Sequence, residues 1–432
     1  MHHQSLILSS APVRVPLPHR RLSSDLPSQP PLCWRRTPAL WATLALASAL
    51  TMVASPVTAT PQFARTYQVS CVACHTVVPM VNKTGLDFEA LGYRHPDESV
   101  EDRRQNTLPV ALWMTARHEQ NSSRDFDQTY LPKGELISGG PIGEQLAYFL
   151  EWRFLSLETR ADGSLRDRSG RIEDAILSWD IDQRFSLDVG QYRSLEQVDV
   201  SRRLSISEPA LFSTSLAGAP DPDPRIQSLR GFAPSSRSPG VRLGWHSIQG
   251  SAPADGLFHF AKLAFPGEFS VPLTREARTE ASFEFENSPK GVFLETFYRR
   301  GYHSIGGHAF LDSGRWLLTG VGTTHVNIGS ADLHLLGGLG VDDQRGRDPR
   351  LRSTLQAEYL LPHEALPRDI GRRINPGFGL RFEHVTRNNS DPAWIPYLAV
   401  SGPAGPTTLV LQLQYRVQPG NSGLVIDLSW LF

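Results

Sequence analysis

The sequence predicts a mainly-β chain: an outer-membrane antiparallel β-barrel of about 16 strands, preceded by a small N-terminal α-helical module. Three observations carry that expectation. After Leu108 apolar residues recur with period two, and the positions between them hold full charges. The last stretch is itself an amphipathic strand ending in an aromatic residue. Upstream of Leu108 the periodicity is helical, around a single Cys-x-x-Cys-His run.

The chain has 432 residues, enough for one large barrel and a small module. Lys and Arg total 43 against 44 Asp and Glu, a net charge of −1, so no polyanionic partner such as nucleic acid is expected. Mean hydropathy is −0.27. No long apolar run follows residue 60, which argues against membrane-spanning helices but not against a barrel, whose alternating strands average out polar.

Residues 1–59 read as an N-terminal extension and signal peptide. Arg35 and Arg36 make a charged start, Ala39 to Ala54 an apolar core, and Val57-Thr58-Ala59 a small-residue cleavage site. Residues 1–34 are long and polar for such a leader and read as an extension upstream of the true start. Export suits the next motif, because c-type haem is attached outside the bacterial cytoplasm.

Residues 60–107 form the small module. Cys71-Val72-Ala73-Cys74-His75 has the spacing of covalent haem c attachment. Two thiolates add to the haem vinyl groups, and the adjacent imidazole ligates the iron. One helical turn would align both sulfurs along one haem edge. The rival readings are half of a zinc site, which needs more thiolates or paired histidines, and a thioredoxin-like pair, which needs a βαβ pattern. Neither context is present. Of three cysteines, Cys33 precedes the cleavage site, so both that remain lie in the motif.

From Thr60 to about Pro96 we expect a short helix, the motif and a second helix. Val81, Leu86, Phe88 and Leu91 would form an apolar face around a turn at Gly85, with Gly92 closing the helix. A segment this small does not bury a haem unaided, so the rest of the chain must supply a wall. His75 is the expected proximal ligand. The distal position stays open between His95 and Met80, with Met114 and His118 in the next segment.

Residues 108–432 carry the barrel pattern. Leu146, Tyr148, Leu150, Trp152 and Phe154 alternate with Gln145, Glu151 and Arg153. Ala175, Leu177, Trp179 and Ile181 oppose Asp174, Ser178 and Asp180; Leu355, Ala357 and Tyr359 oppose Gln356 and Glu358. Phe378, Leu380 and Phe382 face away from Arg381 and Glu383, and Leu409 to Tyr415 alternate with Gln412, Gln414 and Arg416. A soluble sandwich alternates too, but its core would not tolerate these charges, whereas a wet lumen does. Trp152, Trp179, Tyr359 and Tyr415 fall near strand ends, as interfacial girdles do. In the final strand Leu424, Ile426, Leu428, Trp430 and Phe432 share one side. Ser194 to Ser238, with Glu208-Pro209 and Asp221-Pro222-Asp223-Pro224, is too long for a hairpin turn. It is expected either to fold inward as a constriction or to lie disordered at the surface.

With those residues in view, the chain resembles the fused monohaem cytochrome–porin family, which includes the outer-membrane iron oxidases of iron-oxidising bacteria. The likeness lies in the order of leader, haem motif and barrel. It also lies in Phe63-Ala64-Arg65 before the motif and Pro79, Asn82, Gly85, Phe88 and Gly92-Tyr93 after it. Gly190-Gln191-Tyr192 is similar to a strand end of anion-selective porins. The family likeness implies thioether links at Cys71 and Cys74 and axial ligation by His75. It further implies electron transfer across the outer membrane from an extracellular reductant such as Fe(II) to a periplasmic electron carrier, with outer-membrane lipid around the barrel. A solute-conducting porin with a haem-bearing plug, and a haem enzyme acting on peroxide, are the rival functions.

Overall fold

The computed structural model describes residues 62–432 apart from 123–125, 161–162, 183, 195–201, 213–236, 249–251, 266–268, 272–281, 284–290, 313–314, 330, 345–348, 362–365, 367–373, 387–390 and 405–406. The leader and Asp221-Pro222-Asp223-Pro224 lie outside the described residues.

The first strands are a small hairpin, β1 (His75–Val77) and β2 (Met80–Val81). There follow β3 (Val110–Asn121), β4 (Phe126–Ile142), β5 (Leu146–Leu155), β6 (Leu157–Thr159), β7 (Leu165–Asp167), β8 (Arg171–Asp180) and β9 (Phe185–Arg193). Next come β10 (Arg237–Ile248), β11 (Gly256–Ala264), β12 (Phe269–Ser270), β13 (Ser282–Phe283), β14 (Gly291–Arg300), β15 (His303–Asp312) and β16 (Arg315–Ile328). The last are β17 (Ala331–Gln344), β18 (Arg350–Leu360), β19 (Asn375–Val385), β20 (Ala393–Ala404), β21 (Thr407–Arg416) and β22 (Gly423–Leu431). Among the described residues β3–β5, β8–β11 and β14–β22 make a closed antiparallel barrel of 16 strands. Closure leaves no sheet edge unpaired, the condition for a sheet to cross a bilayer.

The seam joins β22 to β3, with Leu431 opposite Trp113 and Asp427 opposite Arg117. Arg117 grips Asp427 through Nε and Nη2, each at 2.7 Å. Thr115 and Ser429 share a hydrogen bond of 2.8 Å beside it. Backbone bonds between Leu112 and Phe432 run in both directions.

The period-two reading is met on both faces. In β21 the buried positions are Thr408, Val410, Gln412 and Gln414, and in β19 they include Arg381 and Glu383. The opposite face carries Leu355, Phe378, Leu380, Leu398 and Tyr415, all exposed outward. Trp179, Tyr359 and Tyr415 stand next to strand ends, and Trp152 lies further inside β5. An apolar exterior and an ionic interior define a transmembrane barrel of the bacterial outer membrane. With one exception, between β18 and β19, the connections at the end where β3 begins and β22 ends are short. Gly301 and Gly329 make two of these turns with φ of 60° and 65°, a conformation glycine adopts without strain. The longest connections, after β9 and β11, lie at the other end. Short turns mark the periplasmic mouth, long loops the extracellular one.

The charges along the inner wall pair chiefly between strands. Arg381 does bind Glu383 along its own strand, at 2.8 Å. The Arg153–Glu151 pairing suggested by sequence gives way to others. Arg153 binds Glu135 at 2.7 Å and Glu173 at 3.2 Å, while Glu151 meets Arg237 at 3.5 Å. Neighbouring strands offer a guanidinium more than one carboxylate within reach, so register rather than sequence adjacency selects the partner.

The long connection after β9 folds inward over its described part, 202–212. Leu204 N donates to Glu358 Oε1 at 2.9 Å, and Ala210 N to Glu383 Oε1 at 2.8 Å. Arg381 donates to Ser205 Oγ and to Ser207 Oγ and O, and Arg352 to Ala210 O. Leu211 is fully buried with Phe212 and Val321. It occupies the space that side chains at Gly338 and Gly340 of β17 would need. The buried Lys262 Nζ donates to Tyr192 O and Ser238 O, at 2.8 and 2.9 Å, and so clamps both legs of this connection.

A valine at 338 should expel Leu211 and unseat the segment while the strands stay paired. We expect Gly338→Val to speed amide exchange over residues 202–212 at least tenfold, with unchanged heat-modifiable migration of the folded barrel. Unchanged exchange would mean that Leu211 does not seat the segment.

Candidate functional site

Upstream of β3 the described chain holds helices Gln62–Tyr67, Lys83–Ala90 and Glu98–Glu101. The expected pattern of helix, motif and helix is corrected in two places. The motif is followed at once by the β1–β2 hairpin, and Gly85 lies inside the helix Lys83–Ala90 rather than at a turn. The β-branched run Thr76-Val77-Val78 favours the extended hairpin. Gly85 is required for close approach, because a Cβ there would strike Cys74 O and Val81.

Cys71, Cys74 and His75 are brought together. Ser70 is extended, and Cys71–Ala73 form one 3-10 turn, closed by Cys74 N donating to Cys71 O at 3.2 Å. Side chains three apart eclipse in that geometry, so both sulfurs lie on one side. The thiols are free and half-buried. Cys71 Sγ is 3.3 Å from Thr408 Oγ1 on the inner wall. Its side chain packs among Val78, Trp113, Val410 and Leu431. Burial, then Cys71 and Glu89, push the Cys74 thiol up to about 11. A redox-active CxxC pair needs the reverse, a thiol made acidic, so the thioredoxin-like reading loses support.

His75 Nδ1 lies 3.0 Å from Pro79 O. Donation to that carbonyl fixes the tautomer with Nε2 bearing the lone pair a metal would take. Burial lowers the imidazole's pKa, opposed by the Pro79 and Met80 backbone, which keeps the ring neutral. Two reduced thiols one turn apart, a neutral imidazole with Nε2 available and an apolar wall beside Cys71 fit a covalently attached haem. Among the described residues no group of three or more His, Cys, Asp or Glu could hold a metal ion, so no further ligands for a zinc site join these.

The other ligand candidates are engaged elsewhere. Met80 is buried with Val77, Leu204, Leu360, Ile395, Tyr397 and Ala399. His95 accepts from Asp97 N at 3.1 Å, and its ring lies 6.0 Å from that of Tyr67. Met114 and His118 alternate along β3 with Thr115 and Arg117, which face the lumen, and so point outward.

The segment has a core of its own and borrows the rest. Tyr67, Phe88 and Val100 pack with Phe63, Val69 and Tyr93. Tyr93 also stacks on Phe149 of the barrel at 5.6 Å. Val78 N donates to Ser401 Oγ, Lys83 N to Tyr302 Oη and Ala254 N to Asp87 Oδ1. Arg202 of the inward segment binds Glu89 at 2.7 Å, and Arg94 donates to Gly143 O. The anchors Gly143, Ala254 and Tyr302 all belong to short connections, which puts the Cys71–Cys74 turn and its neighbouring helices in the periplasmic mouth. Sequence reasoning did not find Thr408, Trp113, Leu204 or Tyr302, since the first two join the site through strand register and the others through a connection folded inward and a turn at the same mouth.

Barrel and plug together define a porin-like outer-membrane barrel whose inner mouth holds a Cys-x-x-Cys-His turn. No family model and no curated protein matches the chain. Among solved structures it is similar to the anion-selective porin from Comamonas acidovorans, at 11% identity over 75% of this chain and 98% of that one, TM-score 0.48. It is also similar to outer-membrane OmpT of Vibrio cholerae, at 9% identity over 76% and 99%, TM-score 0.43. A third is the outer membrane channel DcaP of Acinetobacter baumannii, at 11% identity over 75% and 96%, TM-score 0.44.

Tyr67 Oη donates to Tyr93 O at 2.6 Å, tying the first helix to the segment after the second. Burial, then Glu101, raises its pKa above the ordinary 10.0. The folded segment therefore holds this proton more tightly than the unfolded chain does. The resulting stability is complete below pH 10.0 and is lost as pH climbs through the raised value. Tyr67→Phe should weaken the segment locally by about 1–3 kcal/mol and remove part of this alkaline sensitivity. Hydrogen exchange over residues 62–104 reads both, and unchanged exchange would refute the assignment.

Proposed function

We propose that this protein moves single electrons across the outer membrane through one covalently held haem c at the inner mouth of its barrel. The electrons come from an extracellular reductant, with Fe(II) the leading candidate, and leave to a soluble periplasmic carrier. The observation that carries the reading is the position of the Cys71–His75 turn. It is seated in the lumen, its sulfur against Thr408, at the end where a periplasmic protein can reach it.

Cys71 and Cys74 would hold the haem by thioether bonds and His75 Nε2 would ligate its iron. Bound there, the haem supplies a one-electron couple whose potential follows from axial ligation, burial and hydrogen bonding. The remaining work falls to the chain. The Pro79 carbonyl keeps His75 in the ligating tautomer. Val78, Val410, Leu431 and Trp113 exclude water beside Cys71. The 202–212 segment packs Leu204 onto the β1–β2 hairpin from within the lumen. The apolar band of such a barrel is about 25 Å tall, more than one haem spans, so the donor must approach through the extracellular half of the lumen. That half is lined by paired charges, including Arg153, Glu173 and Arg237. Oxidising Fe(II) on the outer side would also keep insoluble Fe(III) out of the periplasm.

Purified protein produced with c-type haem maturation should carry one covalent haem, lost in the Cys71→Ala/Cys74→Ala variant, as intact mass and denatured absorption spectra report. Fe(II) added at acidic pH to the extracellular side of proteoliposomes should bring up the reduced-haem bands promptly. A chain with covalent haem that Fe(II) leaves oxidised for hours, yet with large steady conductance, would replace this reading with a porin carrying a haem plug.

A further inference from the structure

Asn82 follows β2 and precedes the helix Lys83–Ala90, and each of its hydrogen-bonding groups is in use. Its Oδ1 accepts from Gly85 N at 3.1 Å, capping the helix. Its Nδ2 donates to Ala73 O at 3.0 Å and to Val72 O at 3.2 Å, two carbonyls of the attachment turn. Its backbone N donates to Cys74 O at 2.9 Å, and its carbonyl accepts from Leu86 N at 3.0 Å. Helix capping needs only the acceptor. The amide's donor half is directed instead at the backbone between the two cysteines.

The helix that Asn82 caps is itself fixed to the barrel. Lys83 N reaches Tyr302 Oη, Lys83 Nζ lies 3.3 Å from Asp255, Asp87 accepts from Ala254 N, and Glu89 binds Arg202. Gly85 lets this helix touch Cys74 O. The path from barrel wall to attachment turn therefore runs through the rigid helix and across the Asn82 carboxamide.

We propose that Asn82 is the positioning residue for the haem. Through Nδ2 it locks the Cys71–Cys74 turn to the barrel-anchored helix and so sets where the haem and the His75 imidazole sit in the lumen. This rests on the haem reading above. Asn82 touches neither the iron nor a donor and acts through the turn.

Asn82→Asp keeps a capping oxygen and removes the donor, setting a carboxylate against two carbonyls. Asn82→Ser also keeps a cap and adds no charge. Both variants should retain covalent haem, heat-modifiable barrel migration and the slow exchange of the Gly85 amide. Amide exchange over residues 71–75 should rise at least tenfold in both, including in haem-free Cys71→Ala/Cys74→Ala backgrounds. In the haem-loaded protein the midpoint potential should fall in Asn82→Asp, where negative charge favours the oxidised iron, and broaden in Asn82→Ser. Exchange and potential matching wild type in either variant would overturn the proposal and reduce Asn82 to a cap. Wild-type protein that carries no covalent haem would instead defeat the parent reading, and exchange of the turn would still test the Asn82 clamp.

Discussion

The constraint from which the rest of the structure follows is the charge on the inner wall. A barrel presenting leucine and phenylalanine to lipid must place the alternate positions inside, and here those positions are arginine, glutamate and aspartate. Arg352 and Arg381 have no solvent exposure. A buried charge with no partner is strongly destabilising, whereas a paired and hydrogen-bonded one is tolerated. Arg352 meets Asp342 at 2.5 Å and Ala210 O at 3.1 Å; Arg381 meets Glu383, Ser205 and Ser207. The inward segment therefore completes the wall electrostatically as well as blocking it. Its carbonyls, hydroxyls and amides are the polar partners that water would supply in an open pore.

The same logic governs the plug. A segment of this size gains too little burial to stand alone, and it is held on several sides. Val77 and Met80 share a cluster with Leu204 of the inward segment and Leu360, Ile395, Tyr397 and Ala399 of the wall. Val81 and Leu86 share another with Ala254. Next to the Cys71–Cys74 turn the wall is apolar at Val410 and Leu431, and ionic clusters of β4, β5, β8 and β10 lie toward the extracellular end.

Much of this was legible in the sequence. Period-two alternation located β5, β8, β18, β19, β21 and β22, because one face in lipid and one in a polar lumen give the strongest contrast a strand can show. The long connection was bounded to within two residues at each end, from its prolines and lack of alternation. The Cys-x-x-Cys-His run was legible as a motif because residue type and spacing are set within five positions. The β1–β2 hairpin was not, since two or three residues of strand carry no periodicity and the β-branched run alone does not set it apart from the helix expected there. Nor were the partners of Arg153, or the contact of Cys71 with Thr408, which lies 337 positions away. Those depend on register and closure, which local patterns do not encode.

Two closures in series bear on how such a molecule can work. The Cys71–Cys74 turn and its neighbouring helices occupy the periplasmic mouth, and 202–212 folds into the lumen beside them, the two joined by Leu204 and by the Arg202–Glu89 pair. A diffusing solute would have to displace both, breaking the Arg202–Glu89 pair, the hydrogen bonds to Glu358, Glu383 and Arg381, and an apolar cluster at once. A conducting state therefore costs far more than opening one loop. An electron needs neither displaced: it requires a redox group near one mouth, a path for the donor from the other, and packing that holds the group still. An inward segment and a plug tied down by its helix are the features that would give a redox centre a single fixed environment and hence a defined potential.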